Sequence, residues 1–178
     1  MTITLQLFMY FTVLLCCTVA YNMEFVDVNA SSTTPDILDT SLRKVRISRG
    51  VFGFSGFINM KQDFDTDLQT YEVQVYYSSN GISYALSPFR IPPTPMTKVM
   101  NKEYKLYAKD ALDKCCTNAP QFDRFVSPMT ARNMICENCQ LLTTNFPSVL
   151  RSGYYKLVVR IYERPNVTII MLGKIDWS

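Results

Sequence analysis

The feature that most restricts the fold is a two-residue repeat of apolar side chains along much of the chain. Side chains of a β-strand point alternately to its two faces, so this period predicts strands with one apolar face. Two such stretches, 154–162 and 167–177, flank a proline-containing turn and predict a C-terminal antiparallel hairpin. Further strands are predicted at 23–28, 42–48, 51–58, 71–77 and 82–86.

Two features modify this pattern. Residues 91–95 contain Pro92, Pro93 and Pro95. Proline cannot donate a backbone hydrogen bond to a sheet, so we predict an irregular connector there, with the preceding strand ended by Pro88. Gly56, inside the predicted strand 51–58, predicts a bulge or a close backbone approach.

Between residues 97 and 116 the apolar period lengthens to three and four residues, which predicts one amphipathic helix. Thr97 is suited to cap its N terminus. The apolar side of this helix is expected to pack on the sheet and to carry its last cysteine to the buried side. A short helical turn is also predicted at Ser127-Pro128. The apolar stripe consists of Met100, Tyr104, Tyr107, Ala111 and Cys115.

The first twenty residues contain no charged side chain and are typical of a cleaved secretory signal, except that Lys or Arg is missing near Met1. An apolar run at 5–15 precedes the small residues at 18–20, so cleavage is expected before Tyr21. A membrane anchor is the alternative, but the run is short for a span of about 20 residues and no stop-transfer charges follow. We therefore expect a secreted protein with one domain, 21–178, and no stable membrane anchor.

Composition argues against several functions. The net charge of +3 is too small to indicate a nucleic-acid partner. The densest basic group, Arg43, Lys44, Arg46 and Arg49, is divided between the two faces of a predicted strand. Histidine is absent, which removes Ser-His-Asp and Cys-His catalysis and His-ligated zinc. We expect no enzyme and no cofactor; the alternative, a carboxylate-dependent hydrolase, would need two acids with displaced pKa values in an open cleft.

Four cysteines follow the signal: the pair Cys115-Cys116 and the Cys136-Glu137-Asn138-Cys139 motif. In an oxidising compartment an even number of cysteines indicates disulfides. A bond between Cys115 and Cys116 would need a strained eight-membered ring and is disfavoured. Both pairings that join the first pair to the second remain open. Either closes a loop of about 20 residues, worth about 3 kcal/mol in the loop-entropy model.

Two kinds of short motif bear on modification and metal binding. Asn29 and Asn166 each begin an N-glycosylation acceptor beside turn-like sequence, and both are predicted to lie in exposed loops. The acidic run 63–67 resembles the start of a calcium loop, but Leu68 and Gln74 stand where the loop requires Gly and Glu. We interpret this run as a solvated turn and expect no metal site.

The strands carry more apolar residues than one buried face of a sheet needs. Either both faces are buried in a solid core, or the sheets splay and enclose a cavity for an apolar ligand. The pattern does not decide between the two. If there is a cavity, the residues predicted to line it are Phe52, Phe54, Tyr71, Val73, Val75, Tyr77, Leu157, Val159, Ile161, Ile169 and Met171.

The order of motifs, with Cys136-Glu137-Asn138-Cys139, then Asn145-Phe146-Pro147-Ser148-Val149-Leu150, then Gly153-Tyr154-Tyr155-Lys156-Leu157 and a terminal hairpin, resembles the insect chemosensory protein A group. That group is related to the GM2-activator and MD-2-related lipid-recognition proteins. The resemblance implies an antiparallel β-cup around a lipid-sized cavity, with a helix near its rim and no catalytic residues. It also implies a secreted binder of hydrophobic cues, such as lipids or cuticular pheromones.

This chain departs from the GM2 activator in its cysteines. The activator has more disulfides, including one that ties down its N-terminal region, whereas here no cysteine of the mature chain precedes Cys115. The activator's role as a hydrolase cofactor therefore does not carry over directly. A second hypothesis is a solid-core protein that binds a chemosensory receptor or channel through Tyr107, Tyr154 and Tyr162, since tyrosine is favoured at interfaces.

Overall fold

The computed structural model describes residues 21–140, 146 and 149–177. The predicted signal, 1–20, and part of the motif at 145–150 lie outside the described residues. The fold is a two-sheet antiparallel β-sandwich with one helical segment, as the alternation predicts. None of the helices in the described ranges is long and apolar enough to cross a membrane.

Five strands form the larger sheet, which we call sheet I. Its order is β1 (Tyr21–Ser32), β9 (Val167–Trp177), β8 (Gly153–Ile161), β4 (Thr70–Ser78) and β5 (Ala85–Pro95). The predicted C-terminal hairpin is confirmed as β8 and β9, which lie next to each other in antiparallel register.

Sheet II has four strands in the order β2 (Leu38–Ser48), β3 (Val51–Met60), β7 (Arg132–Cys139) and β6 (Cys116–Thr117). The expectation for Gly56 is confirmed, because the register of β3 against β7 shifts between Phe54 and Gly56. A side chain at Gly56 would place its Cβ 2.0 Å from the carbonyl oxygen of Ser41.

The helical segment lies where the change of period predicts it, but it is not one continuous α-helix. It consists of α1 (Met96–Val99), a π-helical turn at Met100–Tyr104, α2 (Lys105–Tyr107) and α3 (Lys109–Cys115). The expected cap by Thr97 is wrong, because the N-cap position is Pro95 and carries no side-chain cap. The Thr97 hydroxyl instead lies 2.7 Å from the Thr66 hydroxyl.

Three expectations about local structure are wrong. Residues 91–95 belong to β5, which ends only at Pro95. Pro88, Pro92 and Pro93 lie within this strand, because β5 is the outer strand of sheet I and one of its edges needs no partner. The strand predicted at 82–86 begins only at Ala85. Ser127-Pro128 forms a bend and no helical turn. In addition, β7 was not predicted, although it contains the second cysteine pair.

One end of the sandwich is filled with side chains, and we call it the closed end. Backbone hydrogen bonds join the loops at this end. The Thr33 amide donates to the carbonyl oxygen of Asn166 at 3.1 Å, and the Lys61 amide donates to that of Ile37 at 2.8 Å. The acidic run also lies here, with Asp63 accepting from the Ala131 amide at 2.6 Å and Asp65 from the Ser127 hydroxyl at 2.7 Å. Side chains buried at this end are Ile37, Leu38, Met60, Phe64, Met96 and Met129.

Two elements close the sides between the sheets. Along one side β1 packs against β2 and β3. Along the other, the helical segment begins against β4 and β5 and ends against β7. The disulfides Cys115–Cys139 and Cys116–Cys136 join the end of this segment to β7, which decides between the two pairings left open by the sequence. The result is a cup whose other end, where β2 and β4 finish, we call the open end.

Candidate ligand-binding site

The structure brings the predicted residues of sheet I onto one face. At its centre Val73 of β4 lies opposite Val159 of β8, which in turn lies opposite Ile169 of β9. Opposed residues of antiparallel strands share a face. This inner face is directed towards sheet II, because Ile169 packs against the core between the sheets. The predicted residues on the inner face are Tyr71, Val73, Val75, Tyr77, Leu157, Val159, Ile161, Ile169 and Met171.

The two predicted residues of sheet II, Phe52 and Phe54, lie across from this face on β3. Phe54 is buried, and its ring centroid is 6.0 Å from that of Phe25 on β1. It therefore belongs to solid packing between β1 and β3. Phe52 packs against the same core but is only partly buried, and the Lys44 ammonium lies 4.2 Å from the centroid of its ring.

Burial varies along the inner face. Near the closed end Tyr71, Ile161 and Ile169 pack against the buried core. Val75, Leu157 and Val159 lie in the interior strands β4 and β8, yet they remain partly accessible and lie outside the buried core cluster. Because neighbouring strands protect both edges of β8, the accessible surface must be on a face of the sheet. Sheet II therefore leaves the centre of the inner face partly uncovered.

Tyr71, on the same inner face, is also only partly accessible. Burial, with a contribution from the nearby Glu103 carboxylate, raises the pKa of the Tyr71 hydroxyl well above its usual value. Its side chain nevertheless keeps part of its surface accessible. Within the described ranges, no hydrogen-bond partner of this hydroxyl is found. Tyr71 is therefore largely surrounded by protein, while part of the residue remains accessible.

The open end carries two tyrosines with paired rings. Tyr77 and Tyr155 lie opposite each other on β4 and β8, with ring centroids 5.3 Å apart. Both hydroxyls are held by backbone: Tyr77 donates to Ser152 at 3.0 Å, and Tyr155 donates to Arg151 at 3.0 Å. Burial raises the pKa of Tyr155. Tyr155 was not among the predicted lining residues, although it continues the alternation of Leu157.

The prediction also missed the part of the inner face that β1 provides. Val28 lies opposite Met171, and Ala30 lies opposite Ile169. The register of β1 shifts between Phe25 and Asp27, so the side chains on the two sides of this bulge are out of phase. A strict two-residue period therefore cannot connect Phe25 with Val28, although both are buried.

The tyrosines of the interaction hypothesis lie at different places in the fold. Tyr154 alternates with Tyr155 on β8 and so lies on the outer face of sheet I. Tyr162 lies beyond the other end of that strand, where its hydroxyl donates to Glu72. Tyr107 lies on α2 with its ring centroid 6.2 Å from that of Phe146.

The acids with displaced pKa values do not have the character of a general acid. A hydrogen bond from Tyr162 is the main cause that lowers the pKa of Glu72, and one from Ser127 does the same for Asp65. Both carboxylates are thereby held in the ionised form. The sulfur atoms of Cys115, Cys116 and Cys139 lie close enough together to suggest metal ligands, but each of them is part of a disulfide.

The two glycosylation acceptors occupy different positions. Asn166 is exposed in the turn between β8 and β9, as predicted for a loop. Asn29 is also exposed, but it lies within β1 opposite Ile170, so its predicted loop position is wrong. Because Val28 faces inwards, Asn29 projects from the outer face, and a glycan there would not enter the space between the sheets.

Comparison with known proteins adds no relative: no family model matches the chain, and no curated protein matches it.

Proposed function

We propose that this chain is a secreted, non-enzymatic protein that binds a hydrophobic ligand between its two sheets. The proposal is carried by the partly accessible apolar surface at the centre of the inner face, around Val75, Leu157 and Val159. Apolar surface left in contact with water costs about 25 cal/mol per Å². A ligand that covers it with an apolar chain removes this cost, which favours binding.

Two further observations support secretion and ligand class. Disulfides persist mainly in oxidising compartments, and Cys115–Cys139 and Cys116–Cys136 are both formed. The resemblance to the insect chemosensory protein A group favours a lipid or a pheromone-like hydrocarbon as the class of ligand. In that role the protein would act in chemosensory perception, with a receptor or channel as the partner that receives the ligand.

Native mass spectrometry of the secreted, deglycosylated protein tests this function. We expect a stoichiometric lipid or hydrocarbon that organic extraction releases and identifies. The matched variants are Val159→Asp and Ile170→Asp, which place the same charge at partly buried positions on the inner and outer faces of neighbouring strands. Val159→Asp should lose the ligand and Ile170→Asp should keep it.

A bare polypeptide would contradict the proposal if it also takes up no fatty acid, sterol or long-chain hydrocarbon. The same conclusion follows if Val159→Asp folds and binds ligand as tightly as the unmodified chain. Circular dichroism of both variants separates loss of binding from loss of folding.

A further inference from the structure

We propose that the ligand ends in an acidic group, which Lys44 and Arg46 bind at the open end of the cup. This inference rests on the proposed function and specifies the chemistry of its ligand. Lys44 lies opposite Phe54 and Arg46 opposite Phe52, so both cations project from the face that carries these two rings.

The inner face of β2 changes character along the strand. Its closed-end half contributes Leu38, Thr40 and Leu42, all of which are buried. The next two positions on the same face are Lys44 and Arg46, both exposed. Because β2 begins beside the closed end and runs away from it, these cations lie towards the open end. The head of an apolar chain inserted between the sheets would remain there.

Neither cation forms an ion pair in the described ranges. Residues 41–62 contain no Asp or Glu. Within the part of the chain that the structure describes, no carboxylate lies within ion-pair distance of Lys44 or Arg46. By contrast, Lys174 on the outer face is paired with Asp176 at 2.6 Å. Two exposed cations that form no ion pair in the described ranges are suited to an anionic head group.

Each of these side chains makes one contact within the chain. The Lys44 ammonium lies over the Phe52 ring at 4.2 Å, which places the charge next to apolar surface. The Arg46 Nε donates to the Ser48 carbonyl oxygen at 3.2 Å. Its terminal nitrogens have no hydrogen-bond partner in the described ranges and can bind a carboxylate or phosphate through two parallel hydrogen bonds.

The test compares ligands of one chain length that differ at the head. Affinities of hexadecanoic acid, hexadecan-1-ol and hexadecane are measured by competition with a bound fluorescent naphthylamine probe. We expect the acid to bind about tenfold or more tightly than the alcohol, as charged hydrogen bonds allow. A lysophosphatidic acid of the same chain length then distinguishes phosphate from carboxylate as the preferred head group.

The variant Lys44→Gln/Arg46→Gln should remove the preference for the acid and leave the affinity for the alcohol unchanged. Its matched control is Arg43→Gln/Arg49→Gln, which removes the same charge from the outer side of β2, where Arg43 lies opposite Ser55, and from the turn. The control should keep the preference for the acid.

Equal affinities for acid and alcohol would overturn the inference, and so would an equal loss of acid binding in both double variants. In either case the proposed function survives, since the chain still binds apolar ligands. If neither acid, alcohol nor hydrocarbon binds, the proposed function itself fails and the head-group inference fails with it.

Discussion

The sharpest test of an uncovered inner face compares one substitution at two leucines. Leu38 is 2% exposed in the closed-end core, whereas Leu157 on β8 is partly accessible and lies outside that core. Leu38→Ala removes a fully packed side chain and leaves a void, so we expect unfolding to become easier by about 3 to 4 kcal/mol. Leu157→Ala loses only the buried part of a side chain that is already partly accessible, for which we expect about 1 kcal/mol.

The assay is guanidinium unfolding of ligand-free protein with both disulfides intact, in which midpoint and slope give the free energy of unfolding. A second series contains ligand at about 100 times its Kd, which should stabilise the unmodified chain by about 2.7 kcal/mol. Leu38→Ala should keep this gain, and Leu157→Ala should lose part of it. The reasoning is refuted if Leu157→Ala costs as much as Leu38→Ala and the ligand stabilises both equally.

Two further predictions concern the scaffold. Gly56→Ala should lower the free energy of unfolding by at least about 2 kcal/mol, because φ is +152° and the new Cβ would lie 2.0 Å from the Ser41 carbonyl oxygen. The control is Gly50→Ala, which has open space around its Cβ and should lower the free energy of unfolding less in the same guanidinium titration. Burial raises the pKa of Tyr104 from 10.0 to about 12. The folded state therefore favours the neutral phenol, so its contribution to stability is complete below pH 10 and is lost as the pH rises through about 12. Tyr104→Phe should reduce this alkaline loss in unfolding curves recorded across that range, and an unchanged loss would contradict the assignment.

Local periodicity predicted the elements whose residues follow one rule throughout. The alternation of residues 154–162 and 167–177 predicted the hairpin of β8 and β9, because successive side chains of a regular strand point to opposite faces of the sheet. The change of period at 97–116 located the helical segment for the same reason. Its division around the π-helical turn and Ala108 has no signature in a pattern of apolar residues.

The wrong predictions concern segments whose structure depends on their position in the sheet or on a neighbouring strand. The prolines of 91–95 exclude an interior strand but not an outer one, and the position of β5 at the edge of sheet I depends on the whole sheet. The bulge between Phe25 and Asp27 changes the phase of β1, and it is visible only against the register of β9.

By itself, the sequence determined that the chain forms antiparallel strands with an apolar surplus, a helical segment and two disulfides between neighbouring cysteine pairs. These properties depend on residue type and on short-range spacing. Tertiary structure alone decided that Cys115 bonds Cys139, that Val75, Leu157 and Val159 share an inner face, and that sheet II leaves that face partly uncovered. Each of these depends on the distance and angle between elements far apart in the chain, which a local pattern of side chains does not encode.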